Sequence, residues 1–285
     1  MKMYAQISYW AFEGGMSGGR SVSEAMRLAK KTGFDGIELC VGPAGDLTPN
    51  TSPKKCRQIA AEAKEIGIKI GSVASGLLWE TNPASASRRV RDKALATTIK
   101  CLRVTADLGA KHLLVLPGHV DVFFMPDAEV VPYDDCYKRA LKFSKAVGRA
   151  AEKLGVYACL ENVWNKFLTS PLEFRQFLKD VANPRVAAYF DVGNAWNFGY
   201  PQHWISILGR RIKRVHVKDF KRSVGTVEGF CNLGDGDAPL AESLKMLEQL
   251  GYNGPVTAEV GIGPDDKNET AFLRKTAGRL KKIIP

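Results

Sequence analysis

Short apolar runs alternate with longer stretches of helical periodicity along the whole chain. The runs predict strands over Tyr4–Trp10, Gly36–Cys40, Lys69–Ala74, His112–Leu116, Val156–Leu160, Val186–Phe190, Ile212–Val217 and Val256–Glu259. Between them, amphipathic spacing predicts helices over Ser21–Thr32, Pro53–Ile66, Ser85–Leu108, Pro132–Leu154, Pro171–Asp180, Pro201–Leu208, Pro239–Leu250 and Glu269–Ile283. Ser21 stands three residues before Glu24 in a capping-box arrangement, and Pro171 and Pro239 fall where a first helical turn accepts proline. Gly33, Gly67, Gly109, Gly155 and Gly251 follow helical runs, the place for a left-handed cap. The strands are too apolar to be half exposed, so the sheet is parallel and covered by helices. Eight such units predict an α/β protein with a (β/α)8 TIM barrel in a single domain over residues 1–285. A doubly wound sheet is the lesser alternative, because no glycine-rich dinucleotide fingerprint follows the first strand.

Composition narrows the class without changing that picture. A 285-residue chain with 45% hydrophobic and 25% charged residues is ordinary for a soluble globular protein. No run of about 18 apolar residues exists to span a membrane. The N-terminus lacks the apolar core of a secretory signal, so the chain reads as cytoplasmic. Six scattered cysteines with no Cys-x-x-Cys pair read as reduced thiols, several of them in the core. The net charge of +11 raises the question of nucleic acid. Its basic pairs, such as Lys54-Lys55 and Arg210-Arg211, are dispersed over separate elements, and no aromatic-interleaved basic stripe is present. Neither nucleic acid nor membrane is expected as a partner; a homo-oligomer is compatible with the sequence.

Chemistry enters at four strand ends. Glu161, Asp191, His216 and Glu259 each close an apolar run, 30, 25 and 43 residues apart, which leaves room for a helix and two loops in every gap. An ionisable group at the end of a buried strand is costly unless something compensates it. On a barrel these residues would end strands five to eight, at the face where active sites of this fold sit. Three carboxylates and an imidazole make a mainly oxygen shell for one divalent ion, Mn²⁺ first, with Mg²⁺, Co²⁺ or Zn²⁺ also compatible. A keto sugar could use the open positions, and proton removal beside its carbonyl needs a base and an acid. Glu161 and Glu259 could flank it from opposite sides.

The words Phe190-Asp191-Val192-Gly193-Asn194, His216-Val217-Lys218-Asp219, and Gly251-Tyr252-Asn253-Gly254 followed by Ala258-Glu259 appear in order on these elements. With them the chain resembles the xylose-isomerase-like TIM-barrel superfamily, most of all its ketose 3-epimerase and pentulose- or hexulose-phosphate epimerase branches. The resemblance implies a metal held by Glu161, Asp191, His216 and Glu259, with the two glutamates as acid and base through an enediolate. It implies a sugar or sugar phosphate as substrate. It also places Arg222 at a substrate-binding position and suggests Lys218 for an oxyanion or hydroxyl. Two positions depart from the 3-epimerase pattern: Asn194 replaces a histidine and Phe167 a glutamate. Trp10 and Trp164 are candidates for a sugar's apolar face, Asn194 and His119 for its polar groups, and Glu38 for a supporting carboxylate. Ser72 and Ser75 could bond hydroxyls. Gly261-Ile262-Gly263 lies where barrels commonly bind phosphate. A dehydratase of the inosose type is the main alternative on the same scaffold. An apurinic-site endonuclease fits less well, since only His216 of four histidines stands on a metal word, and a non-catalytic binding barrel would leave the carboxylates uncompensated.

Overall fold

The computed structural model describes residues 2–263, 266 and 268–285. Eight parallel strands close into a barrel: β1 Tyr4–Ser8, β2 Gly36–Cys40, β3 Lys69–Ala74, β4 His112–Val115, β5 Tyr157–Glu161, β6 Val186–Asp191, β7 Ile212–Val217 and, after a small hairpin, β10 Pro255–Ala258, which pairs with β1. The hairpin consists of β8 Asp219–Phe220 and β9 Phe230–Cys231. Outside the barrel lie α1 Val22–Thr32, α2 Pro53–Ile66, α4 Arg88–Asp107, α5 Tyr133–Leu154, α6 Pro171–Val181, α8 Pro201–Leu208, α9 Leu240–Gln249 and α10 Glu269–Ile283. Two short helices, α3 Leu77–Glu80 and α7 Val192–Trp196, sit in the βα connections after β3 and β6. All six cysteines are free. No helix among the described residues is long and apolar enough to cross a membrane.

The element order follows the periodicity, and the differences have local causes. The first strand stops at Ser8 because the Ser8 hydroxyl accepts from the Trp10 N–H and caps a 3-10 turn over Tyr9–Ala11. The expected capping box at Ser21 does not form; Asp46 instead accepts from the Val22 N–H at 2.9 Å. Pro239 precedes its helix, which begins at Leu240, whereas Pro171 does open a first turn, capped by Ser170. The long fourth helix starts at Arg88, not Ser85. Neither the hairpin nor the two short helices was legible, since each is too brief for a period.

A barrel interior is usually filled by layers of branched apolar side chains. This one carries a polar column instead. Gln6 Nε2 donates to Ser72 Oγ and Thr257 Oγ1, both at 2.8 Å, and Ser72 Oγ donates to Glu38 Oε2 at 2.7 Å. Tyr189 OH also donates to Glu38 Oε2. Gly71 makes space for it: a Cβ there would lie 2.0 Å from Gln6 Oε1. The column is wholly buried, so every unmade bond would cost about 1–3 kcal/mol. It ends beneath His216.

Candidate metal centre and active site

Four adjacent strands deliver the four candidate ligands. Glu161 and Asp191 are the last residues of β5 and β6, His216 is the penultimate residue of β7, and Glu259 follows β10. Asp191 and His216 are side by side in register, and the Glu259 N–H continues the pairing by donating to Val217 O at 3.0 Å. One ligand atom from each of the four lies within 4.8 Å of all the others. Among the described residues this is the one such group of histidine, cysteine or carboxylate side chains.

The imidazole is oriented from below. His216 Nε2 lies 2.8 Å from Glu38 Oε1, so the Nε2–H donates to that carboxylate. Nδ1 then faces the cluster, 3.2 Å from Glu161 Oε1 and 3.6 Å from Glu259 Oε2. A carboxylate behind a ligating histidine fixes its tautomer and raises its basicity. Burial alone would lower the His216 pKa, but Glu38, Glu259 and Glu161 together outweigh it and hold the value well above normal.

The donor set fits a cation. Asp191 Oδ1 accepts from the Asn194 N–H at 2.6 Å, capping α7. Its Oδ2 is buried without a hydrogen-bond partner; the Lys218 ammonium, 3.2 Å away, is not aligned to donate to it. Lys218 instead donates to Glu259. Burial works against that ammonium, and Asp191, Glu259 and Glu161 overcome it and raise its pKa. The two glutamates diverge. Burial, assisted by the charge on Glu259, pushes Glu161 up to about 7, despite its bond to His216. Burial also works on Glu259, but Lys218 and His216 outweigh it and keep its pKa below normal. Opposite shifts in a neighbouring pair are how one site keeps an acid and a base at the same pH.

Above the cluster lies a cavity of about 200 Å³ walled by Trp10, Trp79, Trp164, Phe124 and Phe230, with Asn194 and Lys218 at its edge. The Trp164 indole N–H donates to Asn194 O at 3.0 Å, which fixes the ring. Gly193 packs beneath Lys218: a Cβ there would stand 2.5 Å from Lys218 O, so only glycine lets α7 and the end of β7 approach this closely. Asp219 anchors the connection that follows by accepting from the Phe220, Ala238 and Gly234 N–H groups.

Two expected substrate contacts lie elsewhere. Arg222 is exposed in the β8–β9 loop, its guanidinium 4.7 Å over the Trp196 ring, because the hairpin turns the chain outward after Asp219. His119 is buried in its loop, with Nε2 3.2 Å from Trp79 O and Nδ1 beside Asn82, and burial lowers its pKa. It serves the loop and does not line the cavity. Glu38, expected as a supporting carboxylate, is fully buried beneath His216 and accepts its Nε2–H. Ser72 joins the polar column, and Ser75 Oγ donates to Val41 O, although Ser75 does line the cavity. Trp79, Phe124 and Phe230 were missed because single aromatics in loops carry no period. Tyr189 was missed because it stands in an apolar run and reads as core.

Comparison with known proteins places this geometry. Residues 26–282 match the family described as xylose isomerase-like TIM barrel. A protein described as a putative L-ribulose-5-phosphate 3-epimerase from Haemophilus influenzae is 23% identical over 257 residues, covering 88% of this chain and 86% of its own. An L-ribulose-5-phosphate 3-epimerase from Escherichia coli is 24% identical over 259 residues, covering 90% and 87%. Among solved structures, a D-psicose 3-epimerase with D-tagatose from Clostridium cellulolyticum superposes with a TM-score of 0.78 at 19% identity, over 99% of this chain and 98% of that one. A 3-keto-D-glucoside 4-epimerase from Escherichia coli gives 0.77 at 16% identity, over 99% and 100%. At such identities the structural likeness speaks for the fold. The family match spans most of the chain, and the protein belongs to the xylose isomerase-like TIM-barrel family.

Proposed function

We propose that the protein is a divalent-metal-dependent epimerase or isomerase that moves a proton on the carbon beside the carbonyl of a keto sugar. The observation that carries this reading is the convergence of Glu161, Asp191, His216 and Glu259 within 4.8 Å beneath an aromatic-walled cavity. These four would hold the ion, which when bound supplies Lewis acidity toward the keto oxygen. Glu259, kept ionised by Lys218, takes the proton as the C–H bond breaks, and the electron pair passes to the carbonyl oxygen as an enediolate. Glu161, with its pKa near neutrality, returns a proton from the other side. In the reverse direction the two exchange tasks. Trp10 and Trp164 pack on the sugar's apolar face, and Asn194 lies within the same wall. The relatives of epimerase name support this class of reaction.

The wall chemistry favours a sugar without phosphate. Lys218, the one cation among the described residues lining the cavity, is already engaged by carboxylates. Arg222 is turned outward onto Trp196. In the glycine loop after β10, the Gly263 N–H is donated to Asp266 Oδ2 at 3.2 Å, and that carboxylate would repel a phosphate.

The test is a screen of ketoses and ketose phosphates for incorporation of solvent deuterium at carbon, with Mn²⁺ present. Exchange with a neutral ketose, abolished in Glu161→Gln and Glu259→Gln variants that still fold, is expected. Full exchange by either variant removes the assigned proton transfers, and a product lighter by one water would replace the epimerase with a dehydratase.

A further inference from the structure

The opposite end of the barrel holds a second, differently charged cavity. Its volume is about 710 Å³, and it opens among the strand starts. Lys69, Lys111, Arg210, Lys213 and Arg214 border it, and among the described residues no carboxylate lines it. Arg185, at the start of β6, adds a sixth cation, its guanidinium 4.7 Å over the Tyr157 ring that also lines the cavity. None of the six joins an ion pair among the described residues. Asp35 borders an adjoining cleft and already faces Lys281 at 3.9 Å. The dispersed basic surplus of the sequence is thus partly a ring, because lysines and arginines at or beside the starts of β3, β4, β6 and β7 are brought together when the barrel closes.

Two features distinguish this ring from a solvated surface. Arg214 is held rigid by backbone carbonyls: its Nε and Nη2 donate to Gly71 O at 3.2 and 3.1 Å, and its Nη1 to Lys213 O at 2.5 Å. Those bonds fix the guanidinium without neutralising it. His112, on the cavity wall, stacks on Tyr157 with ring centroids 5.1 Å apart, and its Nδ1 is buried without a partner. Burial and then the charges of Arg214, Lys213, Arg185 and Lys111 push its pKa down to about 2. The imidazole therefore stays neutral amid uncompensated positive charge.

We propose that this mouth is a binding site for a small phosphorylated metabolite carrying two or more negative charges. Ligand cavities span roughly 300–1,000 Å³, and a basic cleft with low-dielectric walls concentrates anions. Several cations bordering one concavity suit a compact anion, where a nucleic acid would need a continuous basic track. The site is independent of the metal centre and of the reaction assigned to it.

The probe is tripolyphosphate, titrated calorimetrically into the intact metal-loaded protein at physiological salt. One saturable site per chain is expected, unaffected by a saturating ketose. A Lys111→Gln/Lys213→Gln double variant should bind at least about tenfold more weakly while its deuterium exchange on the ketose is unchanged. A Lys142→Gln/Lys145→Gln control on α5 should bind as the parent does. The proposal is overturned by non-saturable binding, by equal losses in both double variants, by displacement with the ketose, or by preference for a long single-stranded nucleic acid.

Discussion

Replacing Glu38 with glutamine isolates the device that aims His216 at the proposed metal site. Glu38 touches none of the ligand carboxylates; it receives the imidazole Nε2–H at 2.8 Å and hydroxyls from Ser72 and Tyr189. A glutamine has nearly the same volume, but its amide can donate to Nε2 and so favour the other tautomer, with a hydrogen on Nδ1 where the lone pair should face the ion. Loss of such a supporting carboxylate typically weakens metal binding about 10- to 100-fold, which is ~1.4–2.7 kcal/mol. Tyr189→Phe removes one neutral donor to the same carboxylate. It should lower stability by about 0.5–1.5 kcal/mol and leave metal affinity near that of the parent. Competition against a chromogenic chelator gives the affinities, and urea unfolding gives the stabilities. Parental metal affinity in Glu38→Gln would refute the orienting role; an equal loss of affinity in Tyr189→Phe would reduce it to general loosening of the barrel interior.

Metal affinity should also depend on pH. In the metal-free protein Glu161 holds a proton up to about pH 7, and His216 holds one well beyond its ordinary value. An ion must displace both below pH 7 but not the Glu161 proton above it, so affinity should rise with pH, more steeply below about pH 7 than above it. Chelator competition from pH 5.5 to 8.5 measures this, and a flat profile contradicts it. At the other mouth, His112 has the opposite sign of linkage to His216. The unfolded chain takes up its proton near pH 6.5 while the native protein resists until about 2. Stability is therefore lost as pH falls below 6.5, by at most ~1.4 kcal/mol per unit. His112→Phe, which leaves no donor stranded, should narrow the gap between urea midpoints at pH 7 and pH 4.5; an unchanged gap would remove His112 as a cause of acid sensitivity.

The barrel and the convergence of its four strand-end side chains were legible because both rest on local patterns. An apolar run closed by an ionisable residue is costly unless compensated, and four of them in sequence point to one place once the strands are neighbours. What stayed hidden depends on closure. Glu38 and His216 are 178 residues apart, and Tyr189 reaches Glu38 across 151; no spacing rule joins them. Tyr189 looks like core because its ring is core and only its hydroxyl serves the column. Arg222 was misplaced because a two-residue strand pair, invisible to periodicity, redirects the chain after Asp219. His119 was misplaced because its loop turns it onto the Trp79 carbonyl. The cation ring was hidden in the same way: Lys69, Lys111 and Lys213 look dispersed until the strand starts form a circle.

The central claim is that these four side chains hold a metal on which proton transfer depends. It is tested most directly by following deuterium incorporation into a reactive ketose with protein stripped by chelation, then reloaded with Mn²⁺. Exchange should fall to background in the stripped protein and return in full at one equivalent of ion per chain. An undiminished rate in the stripped protein would contradict the account.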